Sequence, residues 1–305
     1  MPGESARSPS QRDPPAALMT VEFWVTQAFN GVSYGALLFI LASGLSLIFG
    51  VMHIVNLAHG SYFMLGGYVG LSVVWRTGSF VAAMACGALA VALIGVAMER
   101  LFLRRLPASQ ALGQVLMTIG FALIFQDLAL LIWGGDPYTI PAPAMFSGVV
   151  RVGGLTFPTY RIFIVGVAFV IGALLWLGLE GTRTGAVIRA AVDDAEMAQG
   201  VGINVPRVSL LVFALGAGLA ALGGVIGGAF LGVYPGADFE VLPYAFVVVI
   251  VGGLGSLPGA MIGSLLVGLL DNFGKALFPE LSYFTLFAPM ALILALRPTG
   301  LFGRA

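Results

Sequence analysis

Three polar side chains interrupt an apolar stretch in the first third of the chain. Asn56, His59 and Ser61 lie within residues 51–68, where most other positions are apolar or glycine. Hydrocarbon offers no hydrogen-bond partner, so such side chains must contact protein or water. Two interpretations follow from the sequence. The three residues line a solute pathway, or they cap a helix that begins near Asn56.

Asp127 is the most costly charge to place in a membrane, because long apolar segments flank it on both sides. An ionisable group inside a bilayer is by default a functional residue. We therefore interpret Asp127 either as part of a solute pathway or as a buried group, paired with an arginine or capping a backbone.

Glycine and proline interrupt a third apolar region. Gly252, Gly253 and Gly255 belong to a run of helix-breaking residues, 252–259, between two apolar pieces at 241–254 and 258–271. Each piece is shorter than the roughly 20 residues that a straight span requires. The region is predicted to form one kinked span, a re-entrant pair or two short spans. Broken helices occur in membranes where they line a wet cavity or are surrounded by protein, so these glycines are candidate pathway residues.

A polar loop over residues 180–207 carries a short amphipathic pattern. Arg189, Asp193 and Glu196 follow one another at helical spacing, while Ala190 and Ala191 belong to a small apolar face. We predict a helix over about 186–199, capped by Thr184. It either docks into the groove of a partner protein or forms an ordinary solvated loop helix.

Catalytic and nucleotide-binding motifs are absent from the sequence. His53 and His59 are the only histidines, and their spacing of six fits no helical metal pair. Around Lys275, the only lysine, Leu269 and Ala276 stand where a phosphate-binding loop requires Gly and Ser or Thr. We predict a passive subunit that is not an enzyme and has no metal and no cofactor.

Composition indicates which solvent the chain faces. Hydrophobic residues make up 59% and charged residues only 9% of the 305, with 43 glycines. A soluble domain carries about 25% charged residues, so most of this surface must face lipid. The abundant glycine predicts helices packed backbone against backbone. Net charge is zero, which provides no basic surface for nucleic acid.

The apolar runs predict an all-α integral membrane protein with about eight or nine transmembrane segments, some of them broken or re-entrant. A polar tail at 1–21 precedes a single membrane domain at 22–305, and a hairpin is predicted around Gly153 and Gly154. Arginine-rich loops remain in the cytoplasm, which places the N-terminus outside and Arg304 inside. The runs lie at 23–49, 52–75, 79–97, 112–134, 161–179, 208–230, 241–254, 258–271 and 284–297.

Four segments resemble one known family. Residues 56–60 and 64–68 are similar to the motif after the first span of LivH-type permeases, which belong to the branched-chain amino acid ABC importers. Residues 189–203 resemble the cytoplasmic coupling segment of that family. Residues 251–263 and 297–304 resemble its glycine-rich break and its C-terminal ending. The four matches occur in the right order over residues 23–304.

The resemblance implies a permease of the bacterial inner membrane that works with a second related permease, two ATPase subunits and an extracytoplasmic binding protein. Branched-chain amino acids are the expected solute, with urea, amides or aromatic acids as alternatives within the class. A stand-alone transporter or channel is the competing hypothesis, and Asp127 is its only fair candidate for ion coupling. By resemblance, the ATPase-coupling residues are Arg189, Ala190, Ala191, Asp193, Asp194, Glu196 and Met197.

Overall fold

The computed structural model describes residues 20–106 and 110–303 of the chain. Eleven α-helices and one two-stranded hairpin form within these residues. The helices are α1 (Val21–Met52), α2 (His59–Thr77), α3 (Phe80–Leu101), α4 (Ala111–Trp133), α5 (Thr159–Gly181), α6 (Arg183–Asp193), α7 (Ala195–Gly200), α8 (Val205–Gly228), α9 (Ala237–Gly252), α10 (Leu257–Leu277) and α11 (Ser282–Leu296). The strands are β1 (Val149–Val152) and β2 (Leu155–Pro158).

Each of the nine apolar runs overlaps one helix of at least 15 residues. Six helical segments among the described residues are long and apolar enough to cross a membrane, namely α1, α3 with the turn that follows it, α4, α5, α8 and α10. This finding confirms a helical multi-pass membrane protein. The helices α2, α9 and α11 lie outside that set, so the predicted number of eight or nine segments remains a prediction.

Helix α1 is the centre of the bundle. Its most apolar window is 83% buried within the protein, whereas the windows of α4 and α5 are only 22% and 17% buried. It contacts α5, α8, α9 and α10. A helix that is apolar all round suits either a protein interior or lipid, and the surrounding helices make α1 an interior one.

Glycines allow neighbouring helix backbones to touch, as the composition predicts. A Cβ at Gly224 of α8 would collide with the carbonyl oxygen of Phe63 in α2, and one at Gly66 of α2 would collide with the backbone of Ala221. Gly44 of α1 and Gly216 of α8 oppose each other in the same way. Van der Waals contact between backbones therefore contributes to holding these helices together in a solvent that gives them no hydrophobic driving force.

The predicted hairpin is present. Strands β1 and β2 pair antiparallel, with Val150 opposite Phe157, and Gly153 and Gly154 turn the chain at φ values of 57° and 85°. The segment before the hairpin covers the end of α8, where Tyr138 and Val233 exchange two backbone hydrogen bonds. The predicted polar tail lies outside the described residues except for Thr20 and Val21, and α1 begins at Val21, inside the predicted tail. Arg304 also lies outside them.

Candidate solute pathway and coupling segment

Helix α2 begins beside the middle part of α1 rather than at the end of α1. After α1 ends, His53 takes a left-handed conformation with a φ of 54° and the chain turns back. The Nε2 atom of His59, the first residue of α2, lies 3.0 Å from the carbonyl oxygen of Leu41. Leu41 precedes the end of α1 by eleven residues, which is about 16 Å along a helix. Residues 53–58 therefore fold back along α1 as irregular backbone.

The three polar residues of this region are completely buried and lie where that segment meets α2. Asn56 accepts a hydrogen bond on Oδ1 from the backbone nitrogen of Ala58 at 3.1 Å. Its Nδ2 atom, and Nδ1 of His59, have no hydrogen-bond partner among the described residues. Because nearly all buried polar groups in proteins are hydrogen-bonded, these two atoms mark a place where a partner is missing.

Ser61 connects the start of α2 to the start of α9. Its hydroxyl donates to Oδ2 of Asp238 at 2.8 Å, and Asp238 is the second residue of α9. Asp238 is 2% exposed, and its Oδ1 atom has no hydrogen-bond partner in the described part of the chain. The positive end of the α9 dipole favours a carboxylate at this position. We call Asn56, His59, Ser61 and Asp238 the buried polar cluster.

Sequence reasoning missed Asp238, and a signal for it existed. An acidic residue in the first turn of a helix is a common N-terminal feature, and Asp238 and Glu240 both precede the apolar run at 241–254. Asp127 is the acidic residue that the sequence marks as a candidate. It lies on the exposed face of α4 with Leu131, which is 81% exposed, and outside the buried polar cluster. Within this chain Asp127 is therefore an exposed group and not a buried one.

The glycine-rich break separates two antiparallel helices. Gly252 of α9 touches Gly259 of α10, and Gly263 contacts Val248, so the two helices run side by side in opposite directions. A single kinked span is therefore excluded. The break itself is the turn between them, at the end of the bundle where α1 also ends.

Two glycines of the break have conformations that other residues rarely adopt. Gly253 has a φ of 108° and packs against Gly303, while Gly255 has a φ of 76° and packs against Gly50 of α1. The chain near the C-terminus also packs against this turn, because the backbone nitrogen of Leu301 donates a hydrogen bond to the carbonyl oxygen of Val251 at 2.9 Å. These glycines shape a compact turn at the helix ends, and the structure brings none of them to the buried polar cluster.

The segment that resembles the family's coupling segment consists of two helices, α6 and α7, so the predicted single helix over 186–199 is wrong. We keep the name coupling segment for residues 183–200. Helix α6 ends at Asp193, and α7 begins after Asp194, whose carboxylate caps it by accepting from the Met197 nitrogen at 2.9 Å. The N-terminal cap of α6 is Thr182, which accepts from Gly185 at 3.0 Å, and not Thr184. A side chain that binds its own backbone interrupts a helix in this way, since it satisfies the amide groups at a new helix start.

The resemblance implies that the small residues Ala190 and Ala191 contact the ATPase. The structure gives these residues a different orientation. Ala191 is 1% exposed and belongs to a small core with Ile188, Ala198 and residues of α1 and α8. It faces its own chain rather than a partner's groove, and Ala190 is only half-buried. The outward side instead consists of Asp193, Asp194, Glu196 and Met197, of which Met197 is 64% exposed.

A cavity of about 650 Å³ lies between this segment and the end of the bundle. We call it the terminal cavity. Its walls come from the last turns of α1 and α5, from α6, from the glycine-rich break and from Phe302 near the C-terminus. Nη1 of Arg189 lies in an ion pair 3.4 Å from Oε2 of Glu180. The cavity therefore connects two regions that the sequence singled out separately, the coupling segment and the break.

An ion pair between Asp271 and Lys275 was not predicted from the sequence. Asp271 of α10 is 2% exposed and forms an ion pair with Lys275 at 2.7 Å. Tyr244 donates to the same carboxylate at 3.2 Å, and the lysine ammonium lies over the rings of Tyr34 and Tyr244. Each charge here is satisfied within the chain, so this group is a structural tie between α1, α9 and α10.

Comparisons with known proteins match almost the whole chain. The family model for branched-chain amino acid transport system permease components covers residues 27–296. The high-affinity branched-chain amino acid transport permease LivH of Escherichia coli is 33% identical over 92% of this chain and 96% of its own length. BraD of Pseudomonas aeruginosa, named for the same transport, is 30% identical over the same shares. The ribose import permease RbsC of Escherichia coli is 27% identical over 89% of this chain and 84% of its own.

Proposed function

Because the chain belongs to the family of branched-chain amino acid transport permease components, we propose that it carries branched-chain amino acids across the membrane. The observation that carries this choice of solute is the 30–33% identity, over nearly the full length, to two permeases named for that transport. The ribose permease is similar at 27% only. Urea, amides and aromatic acids remain the alternatives within the importer class.

Family membership confirms three predictions from the sequence. The resemblance of the four segments was correct, the chain is a permease subunit of an importer, and it is a multi-pass protein of the bacterial inner membrane. An importer permease of this kind works with ATPase and binding-protein partners. We propose the finer composition that the resemblance implied, namely a second related permease, two ATPase subunits and one binding protein.

The proposed pathway passes the buried polar cluster. Its support is the meeting of two helix N-termini, joined by the hydrogen bond from Ser61 to Asp238, with unpartnered atoms on Asn56 and His59. Partial positive charge at helix starts and unpaired polar atoms are what a small polar solute can use for transient contacts. The proposal includes eight or nine crossings, with α2 and α9 as broken elements.

The proposed mechanism is passive on the part of this chain. ATP binding and hydrolysis take place in the partner subunits, and their closure is transmitted through α6 and α7 to the ends of α1 and α8, which these helices contact. Alternating access then arises from small movements of packed helices around a fixed pathway. No cofactor has a part in this scheme.

Reconstitution tests the solute and the energy source together. The permease, its ATPases and its binding protein are placed in vesicles with the nucleotide sites inside, and uptake of radiolabelled leucine is measured. We expect uptake that requires both hydrolysable ATP and the binding protein. Uptake of ribose or urea in place of leucine would contradict the proposed solute, and leucine uptake by this chain alone would favour the stand-alone transporter.

A further inference from the structure

The terminal cavity has the dimensions of a small-molecule site. Its volume of about 650 Å³ falls within the range of about 300–1,000 Å³ that ligand pockets occupy. Its walls combine polar side chains with apolar ones, and the apolar ones include Leu47, Trp176, Leu179, Leu257 and Phe302. The mechanism proposed above uses the elements around this cavity and leaves its interior without a role.

One buried hydroxyl that lines the cavity has no hydrogen-bond partner in the part of the chain that the structure describes. Ser46 of α1 is 1% exposed, and its Oγ atom makes no hydrogen bond to any described residue. Arg189 lines the same cavity, where its Nη1 atom lies 3.4 Å from Oε2 of Glu180 in an ion pair and its side chain is 40% exposed. Buried hydroxyl groups are normally satisfied, so Ser46 points to a ligand with an acceptor group.

Charges of both signs line the cavity beside this hydroxyl. Arg189 supplies a guanidinium, which binds carboxylates through paired hydrogen bonds, and the carboxylates of Glu180 and Asp193 lie on the same wall. His53 and Ser256 also line the cavity. Together, a guanidinium, two carboxylates, hydroxyl groups and apolar side chains are complementary to a zwitterion with an apolar side chain. The ligand carboxylate pairs with Arg189 and Ser46, its ammonium with the acidic groups, and its side chain with Trp176 and its neighbours.

We propose that the terminal cavity binds a free amino acid with an apolar side chain, taken up from the side of the membrane that the arginine distribution makes cytoplasmic. The choice of amino acid rests on the proposed function, whereas the existence of the site rests on the cavity and the unpartnered hydroxyl of Ser46. A ligand there would tie α6 to the last turn of α1 and to the glycine-rich break. The bound amino acid restrains α6, which must move with the ATPases. An amino acid that has been imported therefore slows further import.

Direct binding is measured on the complex of permease and ATPases in lipid nanodiscs, without the binding protein. Saturation-transfer NMR with leucine as the probe is suited to a weak site, with a Kd of about 1 mM. Glycine lacks the apolar side chain, isovalerate lacks the ammonium and 3-methylbutylamine lacks the carboxylate, so each should bind more weakly than leucine. Equal signals from all four compounds, or no leucine signal, would overturn the site.

Two substitutions test the donors. Arg189→Gln should weaken leucine binding at least about tenfold, because a charge-assisted hydrogen bond is lost. Ser46→Ala should weaken it about threefold and is small enough to leave the packing of α1 intact. Arg183→Gln is the matched control, since Arg183 belongs to the same helix and does not line the cavity. Unchanged affinity in both cavity variants would overturn the assignment.

Uptake measurements separate this proposal from the proposed function. Vesicles containing the complete importer are preloaded with unlabelled leucine at about 5 Kd, and the initial rate of labelled leucine uptake is recorded. We expect a decrease of about sixfold for the wild type and of about threefold for Ser46→Ala, since the factor is 1 + [L]/Kd. Leucine import without this decrease would reject the inhibitory site alone, whereas absence of leucine import would reject the proposed solute. Retention of a phospholipid in place of leucine, lost in Arg189→Gln, would also overturn the proposal.

Discussion

A side-chain hydrogen bond from Ser61 of α2 to Asp238 of α9 joins these two helices. Both groups are buried among apolar neighbours, so neither can replace the other with water. A hydroxyl that donates to a carboxylate in such surroundings contributes more to stability than an exposed bond, because the cost of leaving the carboxylate oxygen without a partner is larger.

The first prediction concerns this bond. Ser61→Ala should lower the free energy of unfolding by about 1–3 kcal/mol, since Oδ2 of Asp238 loses its donor. Ser43→Ala is the matched control, because the hydroxyl of Ser43 is equally buried but binds only the carbonyl oxygen of Ile40 in its own helix. Thermal unfolding of the detergent-solubilised protein measures both. A midpoint no lower for Ser61→Ala than for Ser43→Ala would show that the bond is dispensable.

At the scale of the element, the contact between α2 and α8 depends on residues without side chains. The carbonyl oxygen of Phe63 occupies the space that a Cβ on Gly224 would need. The carbonyl belongs to a helix backbone and cannot rotate away as a side chain could. The two helices would have to separate, with loss of contact along their length.

The second prediction follows from that geometry. Gly224→Ala should destabilise the protein by about 1–3 kcal/mol or prevent its assembly, through overpacking. Gly120→Ala in α4 is the control, because a Cβ there meets nothing within 4 Å, and alanine is the better helix former by about 1 kcal/mol. Size-exclusion profiles and melting temperatures in detergent distinguish the two. Equal behaviour would indicate that α2 and α8 are less closely packed than described.

The third prediction concerns the coupling segment and separates its inner and outer sides. Ala191→Trp should destabilise the permease itself by about 1–3 kcal/mol, because Ala191 packs against the chain's own core. Met197→Ser should leave permease stability unchanged and weaken ATPase recruitment, because Met197 is an exposed apolar side chain on the outward face. Melting temperature and co-purification of the ATPase measure the two effects. Normal recruitment by Met197→Ser would place the ATPase contact elsewhere.

At the scale of the whole molecule, orientation is the property that the fold alone leaves open. The hairpin of β1 and β2 lies after α4 and before α5, while α6 and α7 lie after α5. The two regions are therefore on opposite sides if α5 crosses once. Arginines before α4 and within α6 predict that the hairpin is outside.

The fourth prediction tests this orientation with single cysteines. Cys86, the only native cysteine, is first replaced by alanine. A cysteine at Arg151 in the hairpin should then react with an impermeant thiol reagent in intact cells, whereas one at Thr184 in α6 should react only after the membrane is opened. The reverse pattern would invert the topology and would move the terminal cavity to the outer side.

The sequence by itself determined the class, the family and the helices. Low charge and high apolar content required lipid as solvent, and each apolar run overlaps a helix because a backbone in lipid must satisfy its own hydrogen bonds. The four motif segments were enough to predict the family. The hairpin followed from two glycines between β-rich residues. These features depend on local composition, which can be seen directly in the sequence.

Only the tertiary structure decided which side of each helix is inside. A soluble helix shows its buried face by contrast with its polar face, but a membrane helix is apolar toward both lipid and protein. Asp127 and Asp238 therefore looked alike as isolated charges, and only packing distinguished the exposed carboxylate from the buried one. In the same way, the inward position of Ala191 depends on α1 and α8, which are distant in the sequence.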